Sequence, residues 1–132
     1  MKDYRSQKEV QNDIEDGSLS LRDLVAAYLE RIKATSDLNI FLETFDEEAL
    51  SLADEIEEKI KSGSGGKLAG MVVSVKDNIC YKGHKVSAAS KILENFESLY
   101  HSTAVQRLLE EDAIIVGRVN CDEFAMGASN EN

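Results

Sequence analysis

Two stretches decide the fold: Val72-Val73-Ser74-Val75-Lys76-Asp77-Asn78-Ile79 and Ala113-Ile114-Ile115-Val116-Gly117. The first spans the exit of an apolar strand read as Ala69 to Val75, and the second is a continuous apolar strand, which is the pattern of buried strands. Between them, Thr103 to Glu111 reads as a helix, with Thr103 and Gln106 spaced as a capping box. Strand, helix, strand predicts a parallel pair joined by a right-handed crossover, and so an α/β fold. Ligands in such sheets gather beyond the carboxyl ends of the strands. Lys76 stands at one such end, and the segment from Arg118 to Gly127 leaves the other. If the strands are neighbours, the two segments line one pocket.

A lysine at the exit of a buried run is drawn out of water. Desolvation disfavours its ammonium form, and a neutral amine can take a proton from a hydroxyl or a water. Lys-Asp-Asn is equally good turn material, and a lysine in a turn is ordinarily solvated. Spacing alone leaves both readings open.

Upstream, the pattern is helical. Tyr4 to Asp16 reads as a weak helix with Val10 and Ile14 four apart and Gly17 as its stop. Ser20 precedes Leu21, Leu24, Val25, Tyr28, Leu29 and Ile32, one continuous apolar helical face. Asn39 to Phe45 is β-rich, and Asp46 is placed to cap a third helix with Ala49, Leu52, Ala53, Ile56 and Ile60 inward. The opposite face of that helix carries Glu47, Glu48, Asp54, Glu55, Glu57 and Glu58, which reads as a solvated face or as a surface for a basic partner. Ser62-Gly63-Ser64-Gly65-Gly66 reads as a flexible linker, dividing a helical region, 1–64, from an α/β region, 65–132. It is no phosphate loop, because no strand feeds it and Lys67 lacks a Gly-Lys-Ser/Thr context.

Composition narrows the function classes. With 132 residues, 42% hydrophobic and 30% charged, the chain has the usage of one soluble globular domain. No apolar run approaches the roughly eighteen residues of a spanning helix, and no signal-peptide core follows the charged start, so a cytoplasmic location is the expectation. A net charge of -10 argues against broad phosphate-backbone binding. Cys80 and Cys121 form no Cys-x-x-Cys pair, and His84 and His101 have no partners at ligand spacing, so no metal site is expected.

Four ordered blocks resemble the amidase signature family: Leu68-Ala69-Gly70; Val75-Lys76-Asp77-Asn78-Ile79; Ala89-Ser90-Lys91-Ile92-Leu93-Glu94-Asn95-Phe96; and Asn120-Cys121-Asp122-Glu123-Phe124-Ala125-Met126-Gly127-Ala128-Ser129-Asn130-Glu131-Asn132. The resemblance runs from about Leu19 to the last residue. Its third block favours the branch of tRNA-dependent amidotransferase A subunits, which serve Glu-tRNA(Gln) and Asp-tRNA(Asn). The fold so implied is N-terminal helices followed by the first strands and helix of the amidase signature mixed sheet, incomplete within 132 residues.

By the same resemblance, Lys76 aligns with the lysine of a Ser-cis-Ser-Lys triad. There it acts as base through a bridging serine, a second serine attacks the amide of glutamine, and ammonia leaves an acyl-enzyme. Met126 and Gly127 fall on the segment along the acyl-binding pocket. The family's Gly-Gly-Ser-Ser-Gly-Gly-Ser loop follows the equivalent of Asn132, and none of Ser74, Ser87, Ser90, Ser102 or Ser129 lies in a glycine-rich elbow. These 132 residues alone are therefore expected not to catalyse. The resemblance further implies B and C partner subunits, glutamine as substrate, tRNA reached only through a partner, no membrane, and no cofactor in this chain. ATP and Mg are expected on the B subunit. The chain departs from the family at Val72, where proline is common, and at Ala128, where serine is frequent. Two readings compete with this one: a non-catalytic interaction module using the acidic helix, and an amidohydrolase of another amide.

Overall fold

The computed structural model describes residues 2–130. Ser6 accepts a hydrogen bond from the Glu9 N–H at 3.3 Å, and the Glu9 carboxylate accepts one from the Arg5 N–H at 3.0 Å. This reciprocal cap opens α1 (Gln7–Glu15), which buries Val10 and Ile14 and is followed by Gly17 at φ +77°. Helix α2 (Leu21–Ala34) is capped by Ser20 and buries Leu21, Leu24, Val25 and Leu29 of the expected face; Ile32 is half-buried against the same core, and Tyr28 at the edge of the face is exposed. Strand β1 (Phe41–Thr44) leads into α3 (Asp46–Lys61), whose inner face is Ala49, Ala53, Ile56 and Ile60.

Two expected caps are displaced by one residue. Phe45 occupies the cap position of α3, and Asp46 is the first helical residue. The Asp46 carboxylate instead pairs with Lys33 of α2 at 2.8 Å, and that bond holds its carboxyl below the usual carboxylate range. On α4 (Thr103–Glu110) the cap is Ser102, which accepts from the Val105 N–H at 3.3 Å; Gln106 donates to Glu110 instead of closing a capping box.

The acidic face of α3 is not wholly solvated. Glu57 accepts from the Leu21 N–H at 2.7 Å and from Ser20 Oγ at 3.2 Å, so it satisfies an orphan donor at the start of α2. Glu48 receives the Tyr81 hydroxyl and His84 Nε2, the latter at 3.0 Å.

Strand β2 (Val72–Lys76) runs parallel to β3 (Ile114–Val119), as the strand–helix–strand reading predicts, and β1 joins the other side of β3 antiparallel. The sheet order is therefore β1-β3-β2. Central β3 is buried on both faces, which is why its sequence is a continuous apolar run. Ile114 and Val116 face one core with α1, α2 and α3. Ile115 faces a second core with Val75, Phe45, Tyr81 and Val105 of α4. The result is three layers, with helices on both faces of a mixed sheet.

The Gly/Ser stretch is fastened rather than free. The Gly66 N–H donates to Asp112 at 2.8 Å, and the Lys67 and Leu68 N–H groups donate to Glu111 at 2.8 and 2.9 Å. Gly66 makes this approach possible, because a Cβ there would lie 2.6 Å from the Glu111 carbonyl. Across residues 64 and 65 the sheet is continuous: β1 from the front region and β2 from the rear flank the same β3.

Gly117 lets β1 lie against β3. A Cβ at this position would sit 2.5 Å from the Glu43 carbonyl oxygen and 2.9 Å from the Phe41 ring. Gly117→Ala is therefore expected to destabilise the fold by about 1–3 kcal/mol, read as a lower urea midpoint at unchanged m-value. An unshifted midpoint would show that the β1–β3 contact relaxes freely.

Candidate functional site

Lys76 ends β2 in register with Val119 of β3. Strand alternation sends Val73 and Val75 into the α4-side core and leaves Ser74 and Lys76 on the other parity, where both are exposed. The desolvation expected from the sequence is thus not supplied by residues 2–130. The reason is positional: among the described residues β2 is an outer strand, with Val72 at its start packed on the helical core and Lys76 at its far end.

The buried charge at this corner belongs to the next residue. Asp77 is fully buried, and its carboxylate receives the Arg118 guanidinium, the Ser87 hydroxyl, the Ser87 N–H at 3.0 Å and the Ala89 N–H at 3.3 Å. Burial alone pushes this carboxyl up. The bonds from Ser87, Arg118 and Ala89 outweigh that push and hold it below the usual carboxylate range. Its N–H donates to the Val119 carbonyl at 2.9 Å and its own carbonyl accepts from the Ala88 N–H at 3.0 Å, so backbone and side chain are both tied.

Two pairs of consecutive non-glycine residues stand in the left-handed region: Ala88 and Ala89 at φ 48° and 52°, and Phe124 and Ala125 at φ 50° and 58°. Such backbone is costly for residues with a Cβ and persists where surrounding contacts impose it. The two pairs are bound to each other, since the Phe124 N–H donates to the Ala88 carbonyl at 2.9 Å. Ser90 Oγ adds a bond to Glu123 at 2.9 Å. Loop 87–90 therefore bridges the end of β2 to the segment carrying Met126 and Gly127. Met126 is 82% exposed and Phe124 44%, so neither is core. Gly127 lies where any Cβ would run into the Asp122 side chain.

The serines are spoken for in part. Ser87 and Ser90 hold Asp77 and Glu123, and Ser102 caps α4, while Ser74 and Ser129 are exposed. Between Asp77 and that loop, the Tyr81 ring stacks on His84 at 4.1 Å, and both are anchored on Glu48 of α3. Burial, then the Glu48 carboxylate, push the Tyr81 phenol up. Burial and the Asp77 charge likewise push the Cys121 thiol up.

A cavity of about 400 Å³ lies over the loop side of the corner, lined by Ser87, Ala89, Ser90, Lys91, Glu94 and Arg118 among others. Neither Lys76 nor Met126 lines it, so it does not unite the expected site residues. Among the described residues, no group of three His, Cys, Asp or Glu side chains is placed to hold a metal ion. No described helix is long and apolar enough to cross a membrane. The sequence reading missed the Asp77–Arg118 pair, although an arginine inside the apolar run of β3 and a carboxylate at the neighbouring strand end were its visible signals.

A family model described as amidase matches residues 23–132. The chain is 47% identical over 128 residues to the A subunit of the glutamyl-tRNA(Gln) amidotransferase of Chlorobium chlorochromatii (strain CaD3), covering 96% of this chain and 27% of that protein. It is 44% identical over 130 residues to the protein of the same name from Chlorobium phaeobacteroides (strain DSM 266), covering 98% of this chain and 27% of that protein. The chain thus spans about a quarter of the length of these relatives. Among solved structures, an inhibitor-bound vestigial complex described in connection with the origins of an s-triazine catabolic enzyme superposes with a TM-score of 0.87 at 33% identity, over 96% of this chain and 28% of that one. A crystal structure of an amidase superposes at 0.82 with 30% identity, over 96% of this chain and 29% of that one. With the family model and these folds in agreement across nearly all of its residues, the chain belongs to the amidase family.

Proposed function

We propose that this chain is the N-terminal part of a glutamine-hydrolysing amidotransferase A subunit. The protein releases ammonia from glutamine for amidation of misacylated Glu-tRNA(Gln) or Asp-tRNA(Asn). The observation that carries this reading is Lys76 at the carboxyl end of β2, in a chain 44–47% identical to A subunits over almost its whole length. In this reading Lys76 is the base of a Ser-cis-Ser-Lys triad, and both serines come from sequence beyond these residues. Met126 and Gly127 lie along the acyl pocket, where the exposed Met126 side chain is free to meet an acyl group. Residues 1–132 alone do not turn over glutamine, because neither triad serine lies among them.

The same reading assigns B and C partner subunits, a cytoplasmic setting, and tRNA contact through a partner. ATP and Mg belong to the B subunit, where they activate the tRNA-linked carboxylate. The test uses the full-length protein carrying this sequence, assembled with B and C subunits. Ammonia release from glutamine is measured beside release from simple aliphatic amides, and conversion of Glu-tRNA(Gln) is followed with ATP present. Glutamine-dependent conversion is the expected result. Efficient hydrolysis of simple amides without transamidation would instead make the protein an ordinary amidohydrolase.

A further inference from the structure

The residue after Lys76 is held more firmly than Lys76 itself. Among the described residues the Lys76 side chain is exposed and makes no hydrogen bond or ion pair, so its reach is set by where its backbone is held. That backbone is gripped by β3. Lys76 pairs in register with Val119, the Asp77 N–H donates to the Val119 carbonyl at 2.9 Å, and the Arg118 guanidinium closes on the Asp77 carboxylate. Arg118 is 8% exposed, and its second terminal nitrogen reaches Glu43 of β1 at 3.4 Å. One planar fork thus joins all three strands at the carboxyl end of β2. We propose that Arg118 is a positioning residue for Lys76, acting through Asp77, in the reaction proposed above.

Stability alone does not account for this pair. A buried ion pair is commonly matched or bettered by apolar residues of the same volume, so it is weak support for a purely structural role. Position is where a charged fork differs from packing. Among the described residues outer strand β2 has β3 as its one neighbour in the sheet, and the Asp77 hub fixes its end in two further directions through Ser87 and Ala89. Shifts of about 1 Å in a catalytic group lower rates by about 10²-fold, which is the effect a loosened strand end would produce.

The test measures glutaminase in the full-length protein with its partners. Arg118→Met, which keeps the bulk and removes the fork, is expected to lower kcat by about 10–100-fold while KM stays within about twofold. Arg118→Lys, which still places a cation on Asp77, recovers part of the loss. Acetylation of Lys76, followed by mass spectrometry against the exposed Lys8, changes rate in Arg118→Met and returns toward wild type in Arg118→Lys. An unchanged kcat in folded Arg118→Met, or a rise in KM alone, overturns the inference. If Arg118→Met does not fold, Ser87→Ala decides: it removes one Asp77 donor, and kcat falls at unchanged KM if the inference holds and is unaltered if it fails. Lys76→Ala separates the two levels. Lost turnover there with normal kcat in folded Arg118→Met sinks the positioning role alone, whereas full turnover in Lys76→Ala sinks the glutaminase reading on which it rests.

Discussion

Lys76→Ala in the full-length protein is expected to lower glutaminase kcat by about 10²–10⁴-fold, the range a positioned general base contributes. The same change is expected to alter folding stability by no more than about 0.5 kcal/mol, as for other surface substitutions. The second expectation follows from the geometry. Lys76 is exposed at an outer strand end, and among the described residues its side chain has no hydrogen bond or ion pair to lose. Ammonia release and thermal unfolding, measured on the same preparations, check both halves. A large loss of turnover at an unshifted Tm identifies chemistry. Retained turnover removes Lys76 from the mechanism, and a fall in Tm that parallels the loss would make the effect structural.

How much of this was legible in the sequence differs between layers of the fold. The α2 stripe, the α3 core face and the parallel pair β2–β3 followed from periodicity, because each is an apolar pattern read one element at a time. The caps were legible only to within a residue: Phe45 and Ser102 hold the positions that Asp46 and Thr103 were expected to hold. The antiparallel partner of β1 was not legible, since pairing of Phe41 with Val119 joins residues far apart in the chain. The solvated reading of Glu48 and Glu57 failed for the same reason. Each serves a donor on another element, and a helix-face pattern contains no information about what arrives from elsewhere. At the site, Lys76 was placed correctly at the strand end, but its exposure depended on β2 being an outer strand. Asp77 looked like turn material and is the most heavily bonded carboxylate of the corner.

That bonding gives Asp77→Ala the largest expected effect on stability, about 3–5 kcal/mol, the range for breaking one side of a buried ion pair. The loss comes from what remains. Arg118 stays buried with Glu43 at 3.4 Å as its surviving carboxylate, and the Ser87 and Ala89 donors lose their acceptor. Asp77→Ala combined with Arg118→Met should recover part of the deficit, because no buried charge is then stranded. Proton linkage gives an independent check. The folded-state carboxyl is held below its ordinary value, so the unfolded chain binds a proton at Asp77 more readily than the folded one. The contribution of Asp77 is therefore complete above the unfolded value of about 3.9 and is lost as pH falls through the folded one. Urea midpoints of the wild type should fall steeply on acidification below about pH 4, and those of Asp77→Asn should fall less, since the amide has no proton to gain. Parallel acid limbs in the two proteins would show that the Asp77–Arg118 pair is not what the acid dissolves. A flatter limb in the amide variant ties the acid stability of the fold to the residue that also holds the end of β2.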